Sequence, residues 1–181
     1  NLKGEEHVLE IGMGNGYFVS TILEKAESIN YIGCDFSEDM IQEANLKNET
    51  HIKNGNVDFR LATAEELPVH SNSIDKIMTV NTIYFWENQT QVLAEFKRVL
   101  KPNGKLIIGI RPKNEMETYP MTKYGFNMFT EEEVVNLLKA NGLKTTQVLN
   151  KKESDKDFFG KPMKVSSLII VAEQKLPTKT K

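Results

Sequence analysis

Short apolar, β-branched runs alternate with segments of helical period along nearly the whole chain, and that alternation restricts the fold more than any other feature. It is the pattern of a sheet built from βαβ units, because parallel strands must be joined by crossovers of a dozen or more residues. The first run is His7-Val8-Leu9-Glu10-Ile11, ending at a glycine cluster. A helix follows in which Phe18, Val19, Ile22 and Leu23 share the buried face. Residues 31–35 form the second strand, and Ser37 N-caps a helix carrying Met40, Ile41 and Ala44. A polar loop containing Asn54-Gly55-Asn56 leads to a third strand at 57–61, and the turn-rich His70-Ser71-Asn72-Ser73 to a fourth at 74–80. The helix at 88–100, with Val92, Leu93, Phe96 and Val99 on one side, stops at Pro102-Asn103-Gly104. Residues 105–110 are the fifth strand. An irregular segment, 111–129, gives way to a helix opened by a Thr130/Glu133 capping box and closed at Asn141-Gly142. Two last strands, near 143–149 and 165–172, are joined by a charged turn and read as a hairpin, and the polar, basic residues 173–181 read as a tail.

With 181 residues the chain is long enough for one domain with a real core and too short for two comfortable ones. Its net charge of −2 gives no field to gather nucleic acid or an anionic membrane, so neither is an expected partner. A local basic patch can still sit within a neutral total. Cys34 is the only cysteine, so no intramolecular disulfide can form. No apolar run approaches the roughly 18–20 residues that span a bilayer, and no signal-peptide pattern opens the chain. Together these predict a cytoplasmic protein. His7, His51 and His70 are scattered without partners at ligand spacing, so no metal is expected.

The turn after the first strand reads Glu10-Ile11-Gly12-Met13-Gly14-Asn15-Gly16. Glycines there let the backbone turn sharply and approach a ligand above the sheet edge. The spacing is G-x-G-x-G, not the G-x-G-x-x-G that offers a helix N-terminus to a pyrophosphate. Glu10, at the strand tip, would repel a pyrophosphate but suit a ligand bearing an ammonium and a sulfonium, as S-adenosylmethionine does. Asp35 ends the second strand and can accept hydrogen bonds from both ribose hydroxyls of an adenosine cofactor. A glycine turn serving only strand–helix packing, and a dinucleotide site, both remain open at this level.

Four segments taken together carry a more specific likeness. VLEIGMGNGYF, YIGCDFSEDMIQEA, FRLATAEELPVHSNSIDKIMTVNTIYFW and FKRVLKPNGKLIIG resemble successive motifs of the class I S-adenosylmethionine-dependent methyltransferases, and the likeness runs through nearly the whole length. The resemblance implies an α/β, Rossmann-like, doubly wound sheet of seven mainly parallel strands whose last strand is antiparallel. The implied domain covers 1–175, with a flexible tail at 176–181. The implied cofactor site is Glu10, Gly12, Met13, Gly14, Gly16, Asp35, Phe36, Met40, Thr63, Ala64, Glu65, Asn81 and Thr82. Asp35 takes the ribose position, Ala64 and Glu65 lie beside the adenine, and Asn81 and Thr82 flank the methionine moiety. The family often has an acid where this chain has Thr63, which leaves the adenine amino group to Glu65 or a backbone carbonyl. The stretch Asn81-Thr82-Ile83-Tyr84 lacks both prolines of the Asn-Pro-Pro-Tyr motif of nucleobase-amino and glutamine methylating enzymes.

The implied reaction moves the methyl group to an O, N or C nucleophile of a small molecule, leaving S-adenosylhomocysteine. The protein's task is then to hold the nucleophile in line with the methyl carbon and exclude water, and no catalytic base is assigned. Tyr84 and Trp86, beyond the fourth strand, and Tyr119 and Tyr124, in the irregular segment, are the expected acceptor-pocket walls, whereas Phe85 is expected in the core. Met116, Met121, Phe126, Met128 and Phe129 make that segment too apolar to be merely solvated, so it either folds over the site mouth or covers exposed core. Relatives commonly carry helices before the first strand, and only residues 1–6 precede it here. Such lid helices are expected to be absent from this chain, and part of the acceptor specificity to lie outside it. A nucleic-acid or protein methyltransferase, a non-catalytic S-adenosylmethionine-binding module and a dinucleotide oxidoreductase are the alternatives. A monomer or a homodimer is expected.

Overall fold

A computed structural model of the chain describes residues 2–123, 125–153, 156–158, 161–163 and 165–174. The elements are β1 His7–Ile11, α1 Val19–Leu23, β2 Asn30–Asp35, α2 Glu38–Lys47, α3 Glu49–Lys53, β3 Val57–Leu61 and β4 Ile74–Val80. After these come α4 Gln89–Val99, β5 Leu100–Ile110, α5 Lys113–Met116, α6 Glu131–Ala140, β6 Leu143–Lys152, β7 Lys156–Phe158, β8 Lys161–Met163 and β9 Ser166–Gln174. Seven strands form one sheet in the order β3-β2-β1-β4-β5-β9-β6. The neighbours from β3 to β5 pair in parallel, and β9 runs antiparallel between β5 and β6. This is the seven-stranded, doubly wound sheet with an antiparallel last strand that the resemblance implied.

Both faces of the sheet are covered, which is why its central strands read as nearly continuous apolar runs. Along β1, Leu9 and Ile11 point into the larger core with Ile77, Ile108 and the α4 residues Val92, Leu93 and Phe96. Val8 points the other way, to Val19 and Ile22 of α1 and to Tyr31 and Val57. Local chemistry sets the helix starts. Ser37 accepts the Met40 amide at 3.3 Å, Asn88 accepts that of Gln91 at 3.1 Å, and Thr130 with Glu133 closes a complete capping box. No described helix is long and apolar enough to cross a membrane.

Several elements depart from the sequence reading for identifiable reasons. Phe18 is 57% exposed, because it caps α1 from outside the helix and packs edge-on against Tyr17. The one-turn helix α3 buries no residue and so leaves no hydrophobic period to read. Pro102-Asn103-Gly104 does not separate α4 from β5. Ile74 pairs with Leu100 and Lys76 with Lys105, so the proline turn bulges out within the strand. Glu173 and Gln174, expected in the tail, complete β9, where Glu173 pairs with Lys105 and Gln174 donates to the Lys97 carbonyl. The charged turn of the hairpin contains the two-stranded ribbon β7–β8. Residues 176–181 lie outside the described residues.

Phe96 sits at the centre of the larger core, fully buried, with its ring 5.5 Å from that of Trp86. Phe96→Ala is expected to lower stability by about 3–5 kcal/mol, read from urea denaturation. A loss under about 1 kcal/mol would contradict this account of how α4 docks on the sheet.

Candidate cofactor and acceptor site

The strand order reverses between β1 and its two neighbours, β2 and β4, and crossovers leaving in opposite directions open a crevice above the strand tips there. The glycine loop fills one side of it. Gly12, Gly14 and Gly16 all adopt left-handed φ, at 69°, 57° and 66°. A Cβ on Gly12 would collide with the Thr82 side chain, so any other residue would push the loop off the end of β4. Gly16 is pressed by Asn48, whose buried amide donates to the Gly16 carbonyl at 3.3 Å and to that of Ala44 at 3.0 Å.

Asp35, at the tip of β2, is 7% exposed. One carboxylate oxygen accepts the Gly14 amide at 2.9 Å and the other accepts the Ser37 amide at 3.0 Å. Each oxygen keeps further acceptor capacity, and the residue forms part of the cavity wall. On the β4 side, buried Thr79 donates to the Ile11 carbonyl at 3.1 Å and bonds the Thr82 hydroxyl, tying the ends of β1 and β4 together. Asn81 follows β4 in a left-handed conformation, φ 58°, its amide held by the Gly109 carbonyl at 2.9 Å.

These tips enclose a cavity of about 580 Å³, within the range of small-ligand sites. Of the residues predicted to bind cofactor, Gly12, Asp35, Phe36, Thr63, Ala64, Glu65, Asn81 and Thr82 line it. Met13, Gly14, Gly16 and Met40 lie outside the lining; Gly14 acts through Asp35, and Met13 is buried against Gly33. Glu10 also lies outside the lining. It points away from the Leu9 and Ile11 face of β1, is 5% exposed, and accepts the Tyr31 hydroxyl at 2.6 Å instead of reaching the cavity. Burial pushes its carboxyl up to about 7, partly offset by that hydrogen bond.

The acceptor side is also rearranged. Trp86 lines the cavity, and its buried indole N–H finds no partner among the described residues. Tyr84 does not line it, being 2% exposed behind the wall, and Phe85 takes the place expected for Tyr84, 57% exposed and lining the cavity. A tight 3-10 turn over Ile83–Phe85 sends Ile83 and Tyr84 inward and Phe85 outward. Tyr119 is buried in the main core and does not line the cavity, and Tyr124 lies outside the described residues. The 111–129 segment covers core, the second of the two roles foreseen for it, and none of its described residues lines the cavity. Met116 and Tyr119 join the core, while Phe126 packs 4.8 Å from the cavity-lining ring of Phe85. Sequence reasoning missed Ile11, Ala62, Val80 and Glu87 in the wall, and Thr79 and Asn48 behind it. Among the described residues that line the cavity, three are carboxylates (Asp35, Glu65 and Glu87) and none is a lysine, arginine or histidine. The described residues hold no cluster of three potential metal ligands.

A parallel sheet closed by an antiparallel strand, with a glycine loop at the tip of β1 and a carboxylate at the tip of β2, defines the class I S-adenosylmethionine-dependent methyltransferases. Residues 9–108 match the methyltransferase domain family, and the chain belongs to that family. It is 28% identical over 127 residues to the uncharacterized methyltransferase YdaC of Bacillus subtilis, spanning 70% of this chain and 68% of that protein. It is 32% identical over 159 residues to an uncharacterized protein of Methanocaldococcus jannaschii, spanning 82% and 70%. A crystal structure of an S-adenosylmethionine-dependent methyltransferase from Aquifex aeolicus superposes with a TM-score of 0.75 at 23% identity, over 97% of this chain and 85% of that one, and so shares the fold. The protein is an enzyme of this class, and S-adenosylmethionine is its methyl donor.

The Glu10 carboxyl generates a prediction with a definite sign. The folded protein retains, up to about pH 7, a proton that the unfolded chain releases near 4.5. The stability this contributes is full below 4.5 and lost as pH rises to 7. Glu10→Gln keeps an acceptor for Tyr31 and cannot ionise. It is expected to exceed the wild type in stability at pH 8 by about 3 kcal/mol, a gap that closes toward pH 4 in urea denaturation. A gap independent of pH would show that Glu10 ionises normally.

Proposed function

We propose that the cavity holds S-adenosylmethionine beside a small acceptor that is neutral or cationic and largely apolar. The observation that carries this reading is the composition of the wall: three carboxylates, several apolar and aromatic side chains, and no cationic side chain among the described lining residues. Such a wall favours a sulfonium nucleoside and disfavours a pyrophosphate or a phosphorylated acceptor, because a desolvated anion would find no counter-charge there.

Asp35 fits the ribose, its carboxylate already fixed by two amides and still able to accept two hydroxyls. Thr63, Ala64 and Glu65 suit the adenine edge, and Asn81 with Thr82 the methionine end. When bound, the cofactor supplies an electrophilic methyl group on a sulfonium that is a good leaving group. The chain's own contribution is placement and dryness. Val80, Phe85 and Trp86 give the cavity an apolar wall against which an acceptor can displace water.

Calorimetry with S-adenosylhomocysteine tests the assignment. Asp35→Ala is expected to weaken binding about a hundredfold or more, the loss of two hydrogen bonds to a charged group, while keeping the wild-type far-ultraviolet circular dichroism. Unchanged affinity would remove Asp35 from the ribose, and tight NADH binding in its place would remove the cofactor reading. A panel of neutral and amine acceptors set against phosphorylated analogues, scored by S-adenosylhomocysteine release, tests the acceptor class. Turnover confined to the phosphorylated compounds would overturn it.

A further inference from the structure

Tyr84 stands behind the cavity wall, yet its polar groups reach Asn81, Arg111 and Asn127. A tyrosine hydroxyl has one proton and two lone pairs. That of Tyr84 accepts the Arg111 amide at 2.5 Å, and its own proton lies between Asn81 Oδ1 at 3.3 Å and the Arg111 carbonyl at 3.4 Å. The Tyr84 carbonyl accepts the Asn127 amide at 3.1 Å. Both ends of the segment 111–127 are therefore fastened to one residue. The ring lies 6.0 Å from Phe126 and 6.2 Å from Phe85, the pair that packs together at the cavity.

The far end of this connection is firmly held. The Arg111 guanidinium donates to the Ser166 carbonyl and the Ser167 hydroxyl, each at 2.9 Å, and pairs with Glu153. Glu115 accepts the Ser166 amide at 2.8 Å and its hydroxyl at 2.5 Å, which fixes the start of the segment to β9. The near end is Asn81, exposed on the cavity wall in a left-handed conformation that asparagine tolerates. With Oδ1 turned toward Tyr84, the Asn81 side chain has its two N–H donors left to offer elsewhere. Burial pushes the Tyr84 hydroxyl up to about 12, so it remains a neutral donor at working pH.

We propose that Tyr84 is a positioning residue whose hydroxyl holds the Asn81 amide toward bound S-adenosylmethionine and couples that contact to the packing of the segment 111–127. The proposal rests on the cofactor reading of the cavity. Calorimetry with S-adenosylhomocysteine on the wild type, Tyr84→Phe, Asn81→Ala and the double variant tests it. Each single change is expected to weaken binding about five- to tenfold, and the double variant to bind no more weakly than Asn81→Ala alone, since both changes remove one shared interaction. Unaltered affinity in Tyr84→Phe, or losses that multiply in the double variant, overturns the positioning role. Should Tyr84→Phe not fold, amide hydrogen exchange on the wild type decides. S-adenosylhomocysteine must slow exchange at Arg111 and Asn127, which bond Tyr84 without lining the cavity, and unchanged exchange there overturns the proposal. Wild-type protein that binds no S-adenosylhomocysteine overturns the cofactor reading as well, an outcome distinct from tight binding that ignores the tyrosine.

Discussion

The Asp35 carboxylate holds the site together. It ends β2, accepts an amide from the loop that ends β1, and accepts another from the first turn before α2. One side chain thereby sets three backbone segments relative to each other before any ligand arrives, which spares the ligand the cost of ordering them. The arrangement depends on glycines on both sides of the contact. Gly14 donates to Asp35 from a left-handed φ of 57°, which glycine adopts without strain. Gly33, within β2, leaves the space in which Met13 packs beneath the loop, where a Cβ would press on both Met13 and Phe59.

The opposite side of the crevice is built by a different device. β1 and β4 end without a shared carboxylate, and the hydroxyls of Thr79 and Thr82 take its place, linking the Ile11 carbonyl to the first residues beyond β4. Gly12 then packs directly against Thr82. The loop is thus gripped between two strands that diverge from it, and its shape follows from the strand order as much as from its own sequence.

What the sequence disclosed follows the range of the interaction involved. The caps at Ser37 and Thr130, the glycine loop and the alternation of strands and helices are local, set by residues within a few positions of one another, and each was readable. The terminal hairpin was readable too, but the place of its last strand between β5 and β6 was not, because no local signal tells a strand which neighbours it will insert between. Tyr84 and Phe85 show where local reading stops. Both are aromatic and adjacent, and a three-residue turn, not composition, decides that one is buried and the other faces the cavity. Tyr119 was lost to the core in the same way, since an aromatic residue in an irregular segment carries no periodicity to reveal its side. Glu10 was different. Side chains alternate across a strand, so Leu9 and Ile11 facing one core already assign Glu10 to the other face.

The setting of Glu10 bears on the electrostatics of the site. A carboxyl enclosed beside Tyr31, with burial raising it to about 7, carries little charge in mildly acidic solution and cannot be the main source of attraction for a cation. The negative potential at the cavity comes instead from Asp35, Glu65 and Glu87, which line it directly. Of these, only Asp35 is pinned by backbone amides that reduce its freedom while leaving lone pairs for a ligand. Glu10 is the hydrogen-bond acceptor for Tyr31, which packs with Val8, Val19 and Ile22 in the smaller core. The two acids at the strand tips thus differ in setting: Asp35 lines the cavity, and Glu10 is enclosed on the opposite face of β1 from Leu9 and Ile11, bonded to Tyr31.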